Sequence, residues 1–276
     1  MTQALLCLLL LAAPDAGSGG LWLGPRPTRP PTWVVTLAPS LTQTVLALGK
    51  GELLVGVSRF DEAPEVANRK RVGGFNDPSI EAVVTLKADL LLVQMAPANQ
   101  KPVEKIAALG IPVLAMPLTT VEDALEAILR IGEALGAKEK ARTLVAGIEQ
   151  TRLEVRARGK KRKALRVLIV YGFQPLVVAG PGSFAHELLL DTGAVNVAQA
   201  SPSAYPVFSA EAALALKPDV VLDAADVDTG KDVLRSLPGL KQARWVKPAS
   251  KDLLQPGPSL QHGLLELETL LYPPER

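Results

Sequence analysis

The chain has 276 residues, of which 48% are hydrophobic and 21% are charged, and this length allows one large core or two smaller ones. Its 30 basic and 28 acidic residues leave a formal charge of +2, a balance that excludes nucleic acid as the main partner. The sequence contains one cysteine, Cys7, so a disulfide bond within the chain is excluded.

The start of the chain is almost wholly apolar over residues 4–13. This run has the length of a secretory leader and is too short for a helix that crosses a bilayer. We therefore expect residues 1–16 to be a signal peptide. Cys7 lies inside the apolar run rather than after it, which argues against a lipoprotein. Residues 17–32 are rich in Gly and Pro and are predicted to form an unpacked, flexible or extended linker.

From Trp33 onwards, short apolar runs alternate with helical patterns. The runs at 34–37, 53–57, 89–94 and 113–116 are predicted to be strands. Strands that alternate with helices are typical of βαβ units in a parallel sheet. The sequence therefore predicts a first α/β lobe over residues 33–119.

A stretch without strand signals, residues 120–160, follows this lobe. It begins with Thr120 and Asp123, which have the spacing of a helix capping box. The helical pattern is interrupted at Gly136 and continues from Lys138 to about Arg158. Because about 20 helical residues extend roughly 30 Å, we expect one rigid helix to join two lobes.

The alternation of strands and helices resumes at 166–171, 176–179, 220–222 and 244–246, which predicts a second α/β lobe over residues 161–276. An internal repeat supports this division. SIEAVVTLKADLLLV at 79–93 aligns without gaps with SAEAALALKPDVVLD at 209–223, and seven of the fifteen positions are identical. The same offset pairs Phe75 with Tyr205. Loops after strands line the crevice of α/β folds, so these rings are predicted to face each other across an interlobe cleft.

The sequence contains no complete pattern of a nucleotide-binding, metal or hydrolytic enzyme. Residues 180–184 join a strand to a helix but lack the Lys of a P-loop and the spacing of a dinucleotide fingerprint. Ser183 lacks the last glycine of a nucleophile elbow, because Ala185 occupies that position. His186 and His262 are not within helical spacing of each other, so we interpret them as surface or packing residues. These features favour binding over catalysis, and neither a cofactor nor a metal is predicted.

Several short motifs occur in an order that is familiar from one protein family. They are TLAPS at 36–40 with Thr42 and Gly49, VGVS at 55–58, VGGF at 72–75 with Ile80 and Glu81, GSF at 182–184, DTG at 191–193 with Asn196, Tyr205 and Pro206 with Glu211, and PGP at 256–258. In this order, residues 34–271 resemble the periplasmic substrate-binding proteins of ABC importers for cobalamin, haem and siderophores. The resemblance is closest to the cobalamin-binding branch.

The resemblance implies two Rossmann-like α/β lobes joined by a single long backbone helix, with little hinge motion and a ligand cleft between the lobes. It implies ligand contacts at aromatic and polar positions of the cleft, namely Phe60, Phe75, Gln94, Tyr171, Tyr205 and Asp252. Gln94 stands where the cobalamin-binding branch has an aromatic residue. Ser259 stands where many relatives have Arg.

The resemblance also implies a partner in the membrane. Glu81 and Glu211, one in each lobe, match surface glutamates that dock on arginines of an ABC importer permease. The implied protein is a periplasmic, monomeric binding protein rather than an enzyme. It would capture a corrinoid such as cobalamin and deliver it to the permease.

Other ligands and other functions stay open at this point. Haem is less favoured because residues 94–100 offer no Tyr or His as an axial iron ligand. Haem stays an alternative because Tyr171 is a tyrosine at a predicted cleft position. Ferric siderophores are less favoured because the predicted cleft positions contain few cations. A two-lobed enzyme, such as a glycosyltransferase or a chelatase, is a second class. A sensor or structural partner without a transporter is a third.

Overall fold

The computed structural model describes residues 20–225 and 227–274, so the predicted signal peptide lies outside the described residues. The described residues form twelve β-strands and ten α-helices. They make two α/β lobes, each built around its own sheet. Within this part of the chain, no helix combines the length and the apolar character that crossing a bilayer requires.

The N-terminal lobe alternates strands and helices, as predicted. Its elements are β1 (Leu21–Leu23), β2 (Val34–Thr36), α1 (Pro39–Ala47), β3 (Leu54–Val57), β4 (Lys70–Arg71), α2 (Ile80–Thr85), β5 (Leu90–Gln94), α3 (Gln100–Ala108) and β6 (Val113–Met116). The strand order is β1-β6-β5-β2-β3-β4, and all the pairs except β1 with β6 are parallel. β5 and β6 are buried on both faces, which explains their unbroken apolar runs.

Strand β1 lies in the stretch that was expected to be an unpacked linker. Leu21 and Leu23 pair antiparallel with Ala115 and Val113 of β6, so that prediction is wrong for residues 21–23. The strand covers an edge of the sheet that would otherwise expose the hydrogen-bonding groups of a buried strand. Its three residues stand between Gly- and Pro-rich sequence, too short a run to show a strand pattern.

Two helices, α4 (Val121–Ala134) and α5 (Lys138–Gly159), connect the lobes. The predicted capping box is confirmed, because Thr120 and Asp123 each bond the backbone of the other. α5 has 22 residues and is about 33 Å long. A Cβ added to Gly132 of α4 would lie 2.3 Å from the Cβ of Ala141, so the absence of a side chain allows α4 and α5 to pack closely.

The C-terminal lobe follows α5. Its elements are β7 (Arg166–Phe173), β8 (Leu176–Val178), α6 (Phe184–Asp191), β9 (Val195–Asn196), β10 (Val207–Phe208), α7 (Ala210–Ala215), β11 (Val220–Asp223), α8 (Lys231–Ser236), α9 (Pro238–Lys241), β12 (Arg244–Val246) and α10 (Leu260–Leu271). The strand order is β10-β8-β7-β11-β12, with β9 also paired to β7.

This second sheet is mixed, whereas the sequence predicted a parallel one. β8 pairs antiparallel with β7 and with β10. The two residues Gln174 and Pro175 separate β7 from β8, and a parallel connection needs a crossover of a dozen or more residues. The length of this connection was visible in the sequence and excludes a parallel pair.

The internal repeat has the same backbone conformation in both lobes. Ser79 and Ser209 each cap a helix by accepting a hydrogen bond from the N–H group three residues later, at 3.2 and 3.1 Å. Lys87 and Lys217 have left-handed φ angles of 51° and 45°, and no other non-glycine residue in the described part of the chain has a positive φ. Since L-residues rarely adopt this conformation, the match indicates a duplicated structural unit rather than a similarity of composition.

One apolar core runs through both lobes. It includes alternate residues of the two sheets together with the inner faces of α4, α5 and α10. Each sheet has a separate apolar cluster on its other face. The lobes are therefore joined by continuous packing as well as by a helix.

Candidate functional site

A cavity of about 500 Å³ lies between the lobes, at the carboxyl ends of their strands. Phe60, on the loop after β3, lines it from the N-terminal lobe. The opposite wall consists of residues that end or follow β11 and β12, namely Asp223, Ala224, Ala225, Lys247, Pro248, Ala249, Ser250 and Lys251. Ligand sites of α/β folds lie outside the carboxyl ends of strands, so this cavity is the candidate site.

Phe60 presents a large apolar surface to this cavity. Its side chain is 54% exposed, and its backbone N–H donates to Ser58 Oγ at 3.2 Å. The guanidinium of Arg59 lies 5.2 Å from the ring centroid and also pairs with Asp77. An aromatic ring that is held by its loop and open to a cleft is suited to contact a flat ligand.

Tyr171 and Tyr205 form an aromatic pair in the C-terminal lobe. Tyr171 lies on β7 and Tyr205 on the loop before β10; their ring centroids are 5.5 Å apart at an interplanar angle of 74°. Burial raises the pKa of both phenols, so both side chains stay protonated at neutral pH. Phe75 is half-buried and packs against the apolar core. The predicted clamp of Phe75 and Tyr205 stays a prediction.

Asn99 is a positioning residue that the sequence analysis did not identify. Its fully buried side chain donates from Nδ2 to the carbonyl oxygens of Phe75 and Gln94, at 2.6 and 2.7 Å, and accepts from the N–H of Ala96 at 3.0 Å. The amide therefore links two predicted ligand contacts, Phe75 and Gln94, that are distant in sequence. A buried amide with each of its groups bonded fixes the loop geometry at this end of β5.

Asp252 lies directly after the cavity wall. Its Oδ2 is 2.7 Å from His262 Nδ1, and its N–H donates to Ser250 Oγ at 3.2 Å. The carboxylate therefore has a partner within the lobe.

His186 is half-buried and contacts Asn196 at 3.1 Å, and burial lowers its pKa. No group of three or more His, Cys, Asp or Glu side chains that could hold a metal ion occurs in residues 20–225 and 227–274.

The cavity wall contains two lysines that the sequence analysis did not identify. Lys247 and Lys251 line it; neither was among the predicted contact positions, which contain no Lys or Arg. Asp223 also lines it, but its carboxylate is buried and lies 2.6 Å from Lys231 Nζ. Lys251 Nζ lies 2.9 Å from Glu62 Oε1, and this ion pair joins the two lobes across the cleft.

Asp61 lies between Phe60 and Glu62 but is turned into the protein. It is 5% exposed, and its Oδ2 has no hydrogen-bond partner within the described chain. Burial raises the pKa of Asp61 to about 6, an effect reduced by the Thr42 hydroxyl and by the charge of Arg71. A buried carboxyl group, whose ionised form is destabilised, therefore lies in the loop that presents Phe60.

Comparison with known proteins identifies the family. A family model described as periplasmic binding protein matches residues 34–247. The chain belongs to the periplasmic binding protein family. The vitamin B12-binding protein of Salmonella paratyphi A (strain ATCC 9150 / SARB42) is 30% identical over 225 residues, which cover 80% of this chain and 79% of that relative. The family predicted from the order of short motifs is therefore confirmed.

Solved structures of periplasmic binding proteins have the same fold. The periplasmic haem-binding protein of Roseiflexus sp. RS-1 in its apo form superposes with a TM-score of 0.77 at 24% identity, over 87% of this chain and 97% of that chain. The periplasmic vitamin B12 binding protein of Vibrio cholerae superposes with a TM-score of 0.75 at 21% identity, over 88% and 97%. These likenesses confirm the predicted two-lobed α/β fold.

In this periplasmic binding protein, Glu81 and Glu211 lie in the first turns of α2 and α7 and are exposed. Hydrogen bonds from its own N–H group and from Ser209 hold the pKa of Glu211 below its usual range. α2 follows β4 and α7 follows β10, which runs parallel to β7. Both helices therefore follow strands whose carboxyl ends lie at the cleft end of their sheets.

Proposed function

We propose that this periplasmic binding protein captures a corrinoid such as cobalamin in the interlobe cavity and delivers it to the permease of an ABC importer. The observation that carries the proposal is the cavity itself, which both lobes line at the carboxyl ends of their strands. A volume of about 500 Å³ is within the usual range for small-molecule sites. The 30% identity to a vitamin B12-binding protein supports the choice of ligand.

The binding step needs no chemical conversion of the ligand. Exposed Phe60 offers a ring to one face of the macrocycle, while the backbone of residues 248–250 and the lysines beside it meet polar groups at the ligand's rim. The cavity would enclose part of a macrocycle and leave the rest at the mouth of the cleft. The N-terminal lobe therefore supplies the apolar contact, and the C-terminal lobe supplies the polar contacts.

Haem is the second candidate ligand, because the chain also superposes on a haem-binding protein. Iron binding by a tyrosine requires the phenolate. Burial raises the pKa of Tyr171, so forming the phenolate in the empty cleft is costly. This favours a corrinoid, whose binding does not depend on a phenolate ligand from the protein.

The ligand is tested by mass spectrometry of small molecules released from protein purified from its own organism. Titration of the empty protein with cobalamin and with haemin, followed by tryptophan fluorescence, then gives affinities. Phe60→Ala should weaken cobalamin binding at least about tenfold, because a stacked ring contributes both apolar area and π contact. Leu109→Ala is the matched control, since Leu109 is a large apolar side chain that is 62% exposed outside the cavity. Failure of the wild-type protein to bind cobalamin would contradict the proposal.

Delivery is tested separately from binding. The double variant Glu81→Lys/Glu211→Lys should keep its ligand affinity and lose stimulation of the permease ATPase, because like charges at the interface repel. Glu139→Lys/Glu149→Lys changes the charge equally on exposed positions of α5 and should keep the stimulation. If both double variants stimulate the ATPase normally, Glu81 and Glu211 do not dock on the permease.

The proposal includes an exported, monomeric protein without a lipid anchor. The apolar leader and the position of Cys7 within it motivate this part. Cell fractionation should find a shortened protein in the periplasm, and size-exclusion chromatography with light scattering should give the mass of one chain. Full-length protein confined to the cytoplasm would contradict the transport role.

A further inference from the structure

A second cavity, of about 670 Å³, lies where the last turns of α5 and α6 meet. α5 ends at Gly159, shortly before β7 begins at Arg166, so this cavity stands at the amino end of β7. The interlobe cavity stands at the carboxyl ends of the strands, and the described residues that line the two cavities do not overlap. The volume of the second cavity is within the usual range for small-molecule sites.

The side chains that line this second cavity carry an excess of positive charge. Four are cations and two are carboxylates, namely Arg152, Arg156, Lys160, Arg162, Glu187 and Asp191. Arg158, Glu268 and Glu154 adjoin this group through ion pairs and charge interactions. When they are included, five cations face four carboxylates. Lys160 is exposed, and its side chain has neither an ion pair nor a hydrogen bond within the described residues.

Asp191 orients two of the arginines. Its side chain is 3% exposed and accepts one hydrogen bond at each oxygen, from Arg152 Nε at 2.6 Å and from Arg156 Nε at 2.5 Å. A guanidinium group carries further N–H donors on its two Nη atoms. In the part of the chain that the structure describes, the Nη atoms of Arg152 and Arg156 have no hydrogen-bond partner. One buried carboxylate therefore fixes two guanidinium groups at the cavity and leaves their Nη donors unused.

We propose that this second cavity binds a phosphate group, through the Nη atoms of Arg152 and Arg156 and the ammonium group of Lys160. Guanidinium groups match the oxygen atoms of phosphate with paired N–H donors, and the charges strengthen these hydrogen bonds. Asp191 is shared between two arginines, so it neutralises only one of them. Glu187, the other carboxylate of the lining, accepts a hydrogen bond from the N–H of Val121 at 3.0 Å.

The phosphate group can belong to a soluble molecule or to the headgroup of an anionic lipid. Leu190 lines the same cavity and is 46% exposed, so apolar surface is available beside the cations. The chemistry recognised at the arginines is the same in both cases. The inference does not depend on the ligand of the interlobe cavity.

The first test titrates the full chain with inorganic phosphate in a calorimeter, with chloride keeping the ionic strength constant because salt screens exposed charges. The wild type should show a single saturable site. Arg156→Gln and Lys160→Gln should each weaken phosphate binding at least about fivefold, because each removes charge-assisted hydrogen bonds. Lys138→Gln is the matched control: it removes the same charge at the exposed first residue of α5 and should leave phosphate binding unchanged.

Arg156→Lys separates a phosphate site from a patch of general positive charge. Lysine keeps the charge and loses the paired donors, so this variant should weaken phosphate binding nearly as much as Arg156→Gln. If the two arginines only tie α5 to α6, Arg156→Gln lowers the unfolding temperature, and phosphate acts equally on the wild type and on Lys160→Gln. That result would overturn the inference, and Lys160→Gln is informative in either case because no contact of the fold depends on its side chain within the described residues.

Flotation with lipid vesicles identifies the source of the phosphate group. Vesicles of phosphatidylcholine with phosphatidylglycerol are compared with vesicles of phosphatidylcholine alone. Binding to the anionic vesicles that Arg156→Gln and Lys160→Gln both lose would assign a lipid headgroup, whereas phosphate binding in the calorimeter without flotation would assign a soluble phosphate. A wild type that binds neither probe would overturn the inference. Cobalamin affinity, measured on the same preparations, should be unchanged in all these variants, so this inference and the proposed function fail independently.

Discussion

Three successive side chains after β3 have three different environments. Phe60 and Glu62 are exposed at the cleft, and Asp61 between them is buried. The N–H group of Asp61 donates to the carbonyl oxygen of Ser58 at 3.1 Å, and this turn places an inward side chain between two residues at the cleft. In this protein the inward residue is a carboxylic acid, and its ionisation is linked to the stability of the loop that carries the ligand contacts.

We predict that Asp61→Asn removes part of the pH dependence of folding. The pKa of Asp61 rises from 3.8 to about 6 on folding, so its contribution to stability is present below pH 4 and is lost as the pH rises through about 6. This difference in pKa between the folded and the unfolded chain corresponds to about 3 kcal/mol of stability. Relative to wild type, the free energy of unfolding of Asp61→Asn should therefore increase by up to this amount between pH 4 and pH 7, because only the wild type loses stability over this range.

Urea unfolding at a series of pH values measures this effect. Asp77→Asn is a suitable control, because the ion pair with Arg59 lowers the pKa of this exposed carboxyl group. Its contribution has the opposite sign and is lost as the pH falls. A difference between Asp61→Asn and wild type that stays constant across the range would contradict the raised pKa.

Among the secondary-structure elements that connect the lobes, α4 and α5 pack closely against each other. Gly132 faces Ala141, and no Cβ fits between them without movement. Gly159 makes a similar close approach at the other end of α5, where a Cβ would lie 2.7 Å from the carbonyl carbon of Thr192. α5 is therefore held tightly at both ends, once by α4 and once by the end of α6.

We predict that Gly132→Ala destabilises the protein although alanine favours helices. Alanine gains about 1 kcal/mol of helix propensity, but overpacking against Ala141 costs roughly 1 to 3 kcal/mol. Ala141→Gly should recover part of the loss in the double variant. The coupling between the two changes is obtained from urea unfolding of both single variants and the double variant, and additive effects would show that the two side chains do not compete for space.

The elements differ in how well the sequence predicted them. β2, β3, β5 and β6 were found within one residue, because buried parallel strands are unbroken apolar runs between turn signals. β1 was missed, because three residues between Gly and Pro carry no periodicity. The direction of β8 differs from the prediction, because the connection of two residues between β7 and β8 permits only an antiparallel pair. The predicted lobe boundaries and ligand contacts stay predictions.

The candidate site was less predictable than the fold. The family resemblance indicates Phe60 and, in the loop after β12, Asp252, but it does not indicate Lys247 or Lys251. They reach the cavity because β12 pairs parallel with β11, which places the ends of both strands side by side. Pairing between distant strands cannot be predicted from local sequence. The one sequence feature that indicates the two lysines is their position in the loop directly after a predicted strand.

At the scale of the whole molecule, the shared core limits how far the lobes can move. The core includes residues of both sheets and of α4, α5 and α10. In addition, Gly257 of the C-terminal lobe lies close to Ser40 of α1: a Cβ added to Gly257 would lie 3.1 Å from the carbonyl oxygen of Ser40. A wide opening of the cleft would expose apolar surfaces of the shared core and break this backbone contact. Motion is therefore expected in the cleft loops rather than between the lobes.

We predict that ligand binding changes the radius of gyration by less than about 1 Å, since pre-organised binding proteins move little at the backbone. Small-angle X-ray scattering of the empty and the cobalamin-saturated protein measures this change. A periplasmic binding protein known to close about a hinge provides the positive control for the instrument's sensitivity. A decrease of several ångströms would show that the lobes close as rigid bodies.

The antiparallel pairing of β1 places the first described residue far from the last described residues. Residue 20 stands next to Met116 and Ala115, at the carboxyl end of β6 and so on the cleft face. Tyr272 lies at the opposite pole, where its hydroxyl is 3.3 Å from the carbonyl oxygen of Lys163, just before β7. An affinity tag or a sensor surface attached before residue 20 would stand beside the cleft mouth, whereas one attached after residue 274 would leave it clear. Immobilisation through the second end should therefore preserve ligand capture where the first obstructs it.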